Sequence, residues 1–496
     1  MAIQSINPAT GELLRSFEPL GDEAVKTKIA VAHAAFQAYG EIPLEHRALC
    51  MRKLAGILEH EIEELAVLLT QEVGKTIESS RQEVKKCALT CRFYAENAAR
   101  ILADEEIPTD LNNSFVRWDP LGVILAVMPW NFPLWQVFRF LSPALMAGNV
   151  ALLKHSSNVP QCAIAIEALV RRAGFPRGTF QTLLIESRQV ESVLSDERVA
   201  AVTVTGSEAA GRAVAAQAGW LLKRSVMELG GSDPFLVMPS ADLDRAVEMG
   251  IKSRCINNGQ SCIAAKRFIV HADIYDEFEK RFVEGMEALK IGDPMLDTTE
   301  IGPLATAKLV EDIELQVQAA TAAGGRLLCG GERMVGVGNF FEPTVLVDVP
   351  RSSAVYREET FGPVAMLFKV ASIAEALEVA NDTPFGLGAS VWSRDADEQK
   401  QFIGALVCGQ VFVNAIVASD PRLPFGGVKR SGYGRELSGA GMREFLNAKT
   451  VVIAGVVEQT VIPFEPQEPE EPNLNVVSFD SGRFKSAFRT ALKDGE

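Results

Sequence analysis

A cysteine at the end of the segment NNGQSC, residues 257–262, is the first side chain that could carry out chemistry. Asn, Gly and Ser favour an irregular loop, and a thiol on a loop beside a cleft can act as a nucleophile when its pKa is lowered. A free cysteine is more often part of a hydrophobic core. Taken alone, Cys262 is therefore interpreted as a core thiol, and a catalytic role depends on other residues.

Two further residues could assist a nucleophile. Glu228 in MELGG (227–231) follows an apolar segment and precedes two glycines, where partial burial would raise its pKa and suit it to general-base catalysis. The alternative is a surface carboxylate beside a turn. Asn131 in MPWNFP (128–133) lies between aromatic residues and prolines, so its amide could donate to a developing oxyanion. Equally, it could bond its own backbone in a turn.

The segment VTVTGSEAAG, residues 202–211, has the pattern of a phosphate-binding turn. An apolar β run ends at Gly206, and a helical segment containing Gly211 follows. A strand, a tight glycine turn and a helix N-terminus together suit a pyrophosphate. The spacing is not GxGxxG, so an ordinary strand-to-helix turn is also open.

The elements that must position these residues follow from hydrophobic periodicity. Helical spacing predicts three N-terminal helices, one from Asp22, one over about 45–70 and one over about 79–102. From residue 121, apolar runs alternate with helical patterns, which predicts a parallel sheet covered by helices and suited to a dinucleotide. The alternation resumes after residue 228 and predicts a second α/β domain.

Composition excludes several classes of partner. The 496 residues carry 49 Lys and Arg against 64 Asp and Glu, a net charge of −15 that argues against nucleic acid. No apolar run approaches the roughly 20 residues that span a bilayer, and no secretory signal is visible, so no membrane partner is expected. The eight cysteines lack framework spacing and predict free thiols in a reducing cytoplasm. The five histidines are scattered, so no metal site is predicted.

Seven short motifs together carry a resemblance that none carries alone. They are PWNFP, LLKHS, TGS, MELGG, GQSC, EETFGP (358–363) and PFGGVKRSGYGRE (424–436). Their types and order resemble the aldehyde dehydrogenase superfamily over residues 5–455. The phrases LLKHSSNVP (152–160) and ASDPRLPFGG (418–427) are most similar to its bacterial succinate-semialdehyde dehydrogenases.

The resemblance implies an α/β fold with a Rossmann-like cofactor-binding domain, an α/β catalytic domain and a small oligomerisation arm. The expected boundaries are 1–110 and 125–227 for the cofactor-binding domain, 228–416 for the catalytic domain, 111–124 and 417–455 for the arm, and 456–496 for an acidic Pro/Glu-rich extension. A homodimer or homotetramer is expected, with the strand near 115–119 and the segment 435–455 pairing across subunits.

The resemblance also implies a mechanism. Cys262 attacks the aldehyde carbon to form a thiohemiacetal, whose oxyanion is held by Asn131 and by the backbone N–H of Cys262. Hydride transfer to a nicotinamide leaves a thioester, which water activated by Glu228 hydrolyses to the acid. The expected reaction converts succinate semialdehyde to succinate. The alternatives are another carboxylated or aliphatic aldehyde, or a non-catalytic homologue.

Two positions implied by the resemblance bear on the cofactor. Lys154 and Ser157 correspond to adenosine-ribose contacts, and a Ser at 157, where NAD-preferring relatives often have Glu, favours NADP while leaving NAD open. The other implied cofactor contacts are Trp130, Gly206, Ser207, Leu229, Glu359 and Phe361.

The substrate carboxylate is expected to contact Arg139, whose guanidinium can pair bidentately, and the hydroxyl of Ser419. The alternative is that Arg139 is an ordinary arginine on a helix surface. Two departures from related sequences stand out: Ile256 occupies the position of a second arginine, and Ala264 replaces a second cysteine, so no redox-switch disulfide is expected there.

Overall fold

The structure is a computed structural model that describes residues 2–111 and 113–454. Residues 2–107 and 114–451 belong to one large compact unit. Residues 108–111, 113 and 452–454 belong to a second, small unit, in which the Leu111 amide donates to Thr109 Oγ1 at 3.2 Å. The predicted acidic extension, 456–496, lies outside the described residues.

The elements of the first 120 residues are a β-hairpin, a group of helices and two further strands. They are β1 Ile3–Ile6, β2 Leu13–Phe17, α1 Asp22–Tyr39, α2 Leu44–His60, α3 Ile62–Val73, α4 Ile77–Ile101, β3 Glu105–Glu106 and β4 Asn113–Pro120. The predicted helix over 45–70 is divided into α2 and α3 because Glu61 leaves the helical conformation, with φ −104° and ψ 24°. The apolar spacing continues across this break, so periodicity alone did not reveal it.

Strands and helices then alternate in two successive series. The first series is β5 Val123–Met128, α5 Trp135–Ala147, β6 Val150–His155, α6 Pro160–Arg172, β7 Phe180–Thr182, α7 Val190–Ser195, β8 Val199–Thr205, α8 Glu208–Trp220 and β9 Arg224–Glu228. The second series is β10 Pro234–Val237, α9 Leu243–Cys255, β11 Arg267–His271, α10 Ala272–Glu287, α11 Ala307–Ala322, β12 Arg326–Cys329, β13 Thr344–Val347, α12 Ala354–Arg357, β14 Val364–Val370, α13 Ile373–Asn381, β15 Gly388–Trp392, α14 Ala396–Ala405 and β16 Gln410–Val413. The chain continues with β17 Gly432–Tyr433, α15 Ser438–Arg443 and β18 Leu446–Ile453.

The first series forms a six-stranded sheet in the order β17-β9-β8-β5-β6-β7, parallel except for β17. Strand β6 is fully buried, as expected for a parallel sheet covered on both faces. The carboxyl ends of its parallel strands meet at one edge, which is where open α/β sheets bind ligands. Strand β17 comes from the range that the sequence assigned to the oligomerisation arm, and it pairs with β9 next to Glu228.

The second series forms a seven-stranded sheet in the order β12-β13-β14-β11-β10-β15-β16, in which β12 alone runs antiparallel. A three-stranded sheet, β18-β4-β3, joins the two segments predicted to form the arm. These sheets and their covering helices agree with the predicted α/β fold class.

A buried ion pair joins the N-terminal helices to the first sheet. Lys75 Nζ lies 2.5 Å from Glu83 Oε2, and both side chains are fully buried. The other oxygen of Glu83 accepts hydrogen bonds from the amides of Leu134 (2.8 Å) and Trp135 (2.9 Å), at the start of α5. Four amides at a helix N-terminus lack intrahelical partners and attract negative charge, so Glu83 stabilises the start of α5.

Replacing Lys75 should show how much this pair contributes. In Lys75→Met, Glu83 would be buried without a counter-charge, and we expect the free energy of unfolding to fall by roughly 3–5 kcal/mol. Urea denaturation of both proteins measures the difference. Lys53→Met, on the exposed face of α2, is the matched control and should change stability by less than about 0.5 kcal/mol. A loss in Lys75→Met no larger than in the control would contradict this role.

Candidate active site

The predicted catalytic residues lie on loops that leave the carboxyl ends of the six-stranded sheet, together with one loop of the seven-stranded sheet. Asn131 follows β5, Glu228 ends β9, and Cys262 lies between α9 and β11. Cys262 packs at the margin of the same hydrophobic core as Leu229, and its carbonyl oxygen would lie 2.7 Å from a Cβ placed on Gly231. The fold therefore brings the Cys262 loop against the end of β9.

A strained turn positions the Cys262 loop. Asn257, Asn258 and Gly259 have φ values of 53°, 58° and 77°, all in the left-handed region. A Cβ on Gly259 would lie 2.3 Å from the carbonyl carbon of Gly362, so only glycine fits there. Asn258 Nδ2 donates to the carbonyl oxygens of Gly74 (3.1 Å) and Pro303 (3.0 Å). These bonds hold the turn in an otherwise unfavourable conformation.

Lys266 also holds the Cys262 loop in place. Its buried ammonium donates to the carbonyl oxygens of Ser261 (2.8 Å) and Cys262 (2.7 Å), and it lies 3.4 Å from Glu359 Oε1. Glu359 Oε1 also accepts from the amide of Gly231 at 3.1 Å. Lys266 thus ties the nucleophile loop to Glu359, one of the predicted cofactor residues. Lys266 is not among the residues predicted from the sequence, although a lysine directly after the apolar residues 263–265 is a signal that could have indicated it.

The environment of Cys262 keeps its thiol protonated at neutral pH. Burial raises its pKa to about 12, while the positive charges of Arg139 and Lys266 lower it. Since the thiolate is the nucleophile, attack requires a base or a further positive influence on the sulfur.

Asn131 is joined to the same loop by two hydrogen bonds. The side-chain Nδ2 of Asn131 donates to the backbone carbonyl oxygen of Gln260 at 3.1 Å. The backbone carbonyl oxygen of Asn131 accepts from Asn257 Nδ2 at 2.7 Å. An asparagine amide has two N–H donors, and the second makes no hydrogen bond to a described residue. The sequence left open that the Asn131 side chain bonds its own backbone in a turn. Instead, the side chain bonds Gln260, 129 residues away along the chain.

Glu228 is a buried carboxylate, not a surface one. Both of its oxygens are enclosed, and neither accepts a hydrogen bond from the residues that the structure describes. Burial, and then the negative charge of Glu436, raise its pKa well above the usual value, while Arg139 lowers it. A carboxylate with a raised pKa is a stronger base than an exposed one, which is the property that water activation needs.

Arg139 is buried on α5, with 2% of its side chain exposed, and not on the helix surface. Its Nε is ion-paired with Glu436, one Nη lies 3.4 Å from Thr205 Oγ1, and the guanidinium lies 4.4 Å from the centre of the Phe425 ring. The second Nη makes no hydrogen bond to residues 2–111 or 113–454. Arg139 therefore uses its Nε in an ion pair with Glu436, while its second Nη is available to donate to a ligand.

Ser419, the second predicted substrate contact, is buried and accepts a hydrogen bond from Lys86 Nζ at 2.6 Å. Neither Lys86 nor Glu436 was identified from the sequence. Lys86 lies outside the motifs that carry the resemblance. Glu436 ends one of them, but its partner Arg139 is far away along the chain, so the sequence did not indicate the ion pair.

The predicted adenosine contacts, Lys154 and Ser157, line one cleft of about 340 Å³ together with Gln4, Glu186 and Ser187. Lys154 has 8% of its surface exposed, and burial lowers its pKa. Within the described ranges it has neither a hydrogen-bond nor an ion-pair partner. A desolvated cation beside an open cleft is suited to bind an anionic group such as phosphate.

Three of the remaining predicted cofactor residues, Gly206, Ser207 and Leu229, lie just after the ends of β8 and β9. Ser207 caps α8 by accepting from the Ala210 amide at 3.3 Å, and the Gly206 amide donates to the Glu228 carbonyl at 3.1 Å. A Cβ on Gly206 would have no neighbour within 4 Å, so this helix start is open on that side.

Trp130 and Phe361 pack edge to face with centroids 5.7 Å apart, which joins the loop after β5 to the EETFGP segment. Leu229 packs so closely on Gly211 that a Cβ there would lie 2.5 Å from its side chain. Gly211 therefore permits the close packing of α8 on the end of β9.

No group of three or more His, Cys, Asp or Glu side chains within residues 2–111 and 113–454 is arranged to hold a metal ion. None of the helices in the same ranges has both the length and the apolar character needed to cross a bilayer. All eight cysteines are free thiols.

Comparison with known proteins relates these features to a family. The model of the aldehyde dehydrogenase family matches residues 1–451. A Mycobacterium tuberculosis protein named succinate-semialdehyde dehydrogenase 1, NADP(+), is 54% identical over 459 residues, covering 92% of this chain and 100% of that protein. A Mycobacterium avium protein named as an NADP(+) succinate-semialdehyde dehydrogenase is also 54% identical over 459 residues, covering 91% of this chain and 97% of that protein.

A solved structure is similar over the same range. The succinic semialdehyde dehydrogenase from Streptococcus pyogenes, in complex with NADP+, superposes with a TM-score of 0.90 at 36% sequence identity, covering 92% of this chain and 100% of that one.

The raised pKa of Cys262 predicts an unusual pH dependence of alkylation. Because the pKa is about 12, the rate of modification by iodoacetamide should still rise about tenfold per pH unit between about pH 7 and 10, whereas an ordinary thiol levels off near its pKa of roughly 8.5. Mass spectrometry of the Cys262 peptide measures the rate, and glutathione serves as the solution control. A rate that levels off below about pH 9 would show that the thiol is not desolvated in this way.

Proposed function

This chain belongs to the aldehyde dehydrogenase family, and we propose that it oxidises succinate semialdehyde to succinate with NADP as the hydride acceptor. The family and the α/β fold class are those that the sequence predicted. The proposal rests chiefly on two observations: the Asn131 amide is hydrogen-bonded to the loop that carries Cys262, and the charge of Arg139 acts on both Cys262 and Glu228. These residues supply a nucleophile, an oxyanion donor and a base in one place.

In the proposed reaction, the Cys262 thiol first gives its proton to a base, for which the buried carboxylate of Glu228 is the candidate, and the proton passes on to solvent. Cys262 Sγ then attacks the aldehyde carbon, and the resulting oxyanion is stabilised by the second N–H of Asn131 Nδ2 and the backbone N–H of Cys262. The bound nicotinamide supplies the acceptor for the hydride of this thiohemiacetal. Glu228 then takes a proton from water, which adds to the thioester carbonyl and releases the acid and the Cys262 thiol. Its raised pKa suits it to this step.

We propose NADP over NAD because of the adenosine-side cleft. Lys154 presents a desolvated ammonium with no acidic partner among the described residues, and Ser157 adds a hydroxyl without a negative charge. A 2′-phosphate would satisfy both, while the N-terminus of α8 at Gly206 and Ser207 would face the pyrophosphate. Trp130, Leu229, Glu359 and Phe361 stay the proposed contacts of the nicotinamide half.

We propose that Arg139 and Ser419 bind the carboxylate of the substrate. Arg139 contributes the Nη that makes no hydrogen bond to a described residue, and Ser419 contributes its hydroxyl. An aldehyde without a carboxylate would leave these polar groups unpaired in a buried site, which disfavours it.

Homo-oligomerisation and a cytoplasmic location complete the proposal. β18 lies at an edge of its sheet and is mostly exposed, so its free backbone groups could pair with a second copy of the chain. The free thiols suit a reducing compartment.

Kinetics across an aldehyde panel test the proposed substrate. With NADP, we expect kcat/KM for succinate semialdehyde to exceed that for butanal by about 10- to 100-fold, because only the semialdehyde pairs with the buried polar groups. Absorbance of the reduced cofactor measures both rates. Equal values for the two aldehydes would point to an aliphatic substrate, and no turnover of any aldehyde would point to a non-catalytic homologue.

A substitution at Ser157 tests the proposed cofactor. Ser157→Glu would place a negative charge where the 2′-phosphate should bind, so the ratio of kcat/KM with NADP to that with NAD should fall at least about tenfold. Ser192→Glu, which adds the same charge on α7 away from the cleft, should leave the ratio unchanged. An unaltered ratio in Ser157→Glu would remove Ser157 from the ribose site.

A further inference from the structure

We propose that Lys86 supplies the principal positive charge for the substrate carboxylate and acts together with Ser419 as a two-point receptor. This inference rests on the proposed function, because it assigns a residue to the end of the aldehyde remote from Cys262.

Lys86 lies where the two proposed carboxylate contacts meet. It extends from α4 so that its Nζ donates to Ser419 Oγ at 2.6 Å and lies 4.4 Å from the centre of the Trp135 ring. Trp135 and Arg139 are one turn apart on α5 and share a face of that helix. The positive charge of Arg139 acts on Lys86 and also on Cys262, so Arg139 lies within electrostatic range of both groups.

The charge of Lys86 differs from the other buried positive charges of the site. Arg139 is ion-paired with Glu436, and Lys266 lies against Glu359. By contrast, no carboxylate of residues 2–111 or 113–454 lies within 4 Å of Lys86 Nζ.

The nearest acidic candidate is already engaged. Asp420 follows Ser419 in the chain, but its two oxygens are hydrogen-bonded to Arg422, at 2.8 Å from Nε and 2.6 Å from Nη2. Among the described residues, no carboxylate therefore contacts the Lys86 ammonium directly, and Asp420 and Glu83 act on it only at longer range.

This arrangement is unfavourable for the protein alone. Burial, and then the positive charge of Arg139, lower the pKa of Lys86 to about 8. An anion bound beside the ammonium would offset both effects. The site is therefore prepared for a negatively charged ligand.

The donor geometry matches a carboxylate. An ammonium has three N–H donors, of which Ser419 takes one, so two are available to an incoming oxygen. Since Ser419 Oγ accepts from Lys86, its own hydroxyl hydrogen is free to donate to the second carboxylate oxygen. Two donors side by side would hold the carboxylate in a defined orientation and so direct the aldehyde end of the substrate.

Three variants test this assignment. Lys86→Met keeps the length of the side chain but removes its charge, and we expect kcat/KM for succinate semialdehyde to fall about 10- to 100-fold, mainly through KM. The value for butanal should stay the same or rise, which also shows that the variant is folded. Lys86→Arg should recover most of the loss. Lys85→Met, the neighbouring exposed lysine of α4, is the matched control and should behave as the wild type.

The outcomes separate this inference from the proposed function. If the wild type prefers succinate semialdehyde and Lys86→Met keeps that preference, the Lys86 assignment is overturned and the function stands. If the wild type itself shows no preference over butanal, both fail. If Lys86→Met loses activity with both aldehydes, Lys86→Gln, which keeps a hydrogen-bond donor for Ser419, decides: an equal loss for both aldehydes again overturns the assignment, and a selective loss supports it.

Discussion

The active site depends on one buried guanidinium, that of Arg139. Its ion pair with Glu436 is almost fully removed from water. Burial raises the pKa of both the Cys262 thiol and the Glu228 carboxyl, and the charge of Arg139 acts against that rise in each case. One cation thus limits the rise in pKa that burial causes at both the proposed nucleophile and the proposed base. Without it, Glu436 would lose its ion-pair partner, and Glu228 would keep only the smaller effect of Arg435 against its burial.

Arg139 is held in place by a series of supports that begins outside the sheet. Lys75 neutralises Glu83, and Glu83 binds the free amides at the start of α5. That helix carries Arg139, and the loop just before it carries Asn131. The N-terminal helices therefore help to fix where α5 begins, and with it the positions of Arg139 and Asn131.

The sequence could predict the position of those residues that lie next to a recognisable strand end. Asn131 and Glu228 each lie next to a strand end, and a parallel sheet brings such ends to one edge whatever the details of packing. Lys86 and Glu436 could not be found in this way, since their partners are hundreds of residues away along the chain. The break at Glu61 was missed for a related reason: apolar spacing reports which face is buried and not where the backbone bends.

The left-handed turn before Cys262 has a consequence for how the protein is made. Asn258 holds the turn through the carbonyl of Gly74, 184 residues earlier, and that of Pro303, 45 residues later. The turn therefore cannot persist until these segments have assembled around it. In a newly synthesised chain Cys262 is an ordinary accessible thiol, with a larger thiolate fraction than in the finished site, where its pKa is about 12. Completion of folding thus lowers the thiolate fraction of this sulfur at the same time as it fixes the sulfur beside Asn131 and Lys266.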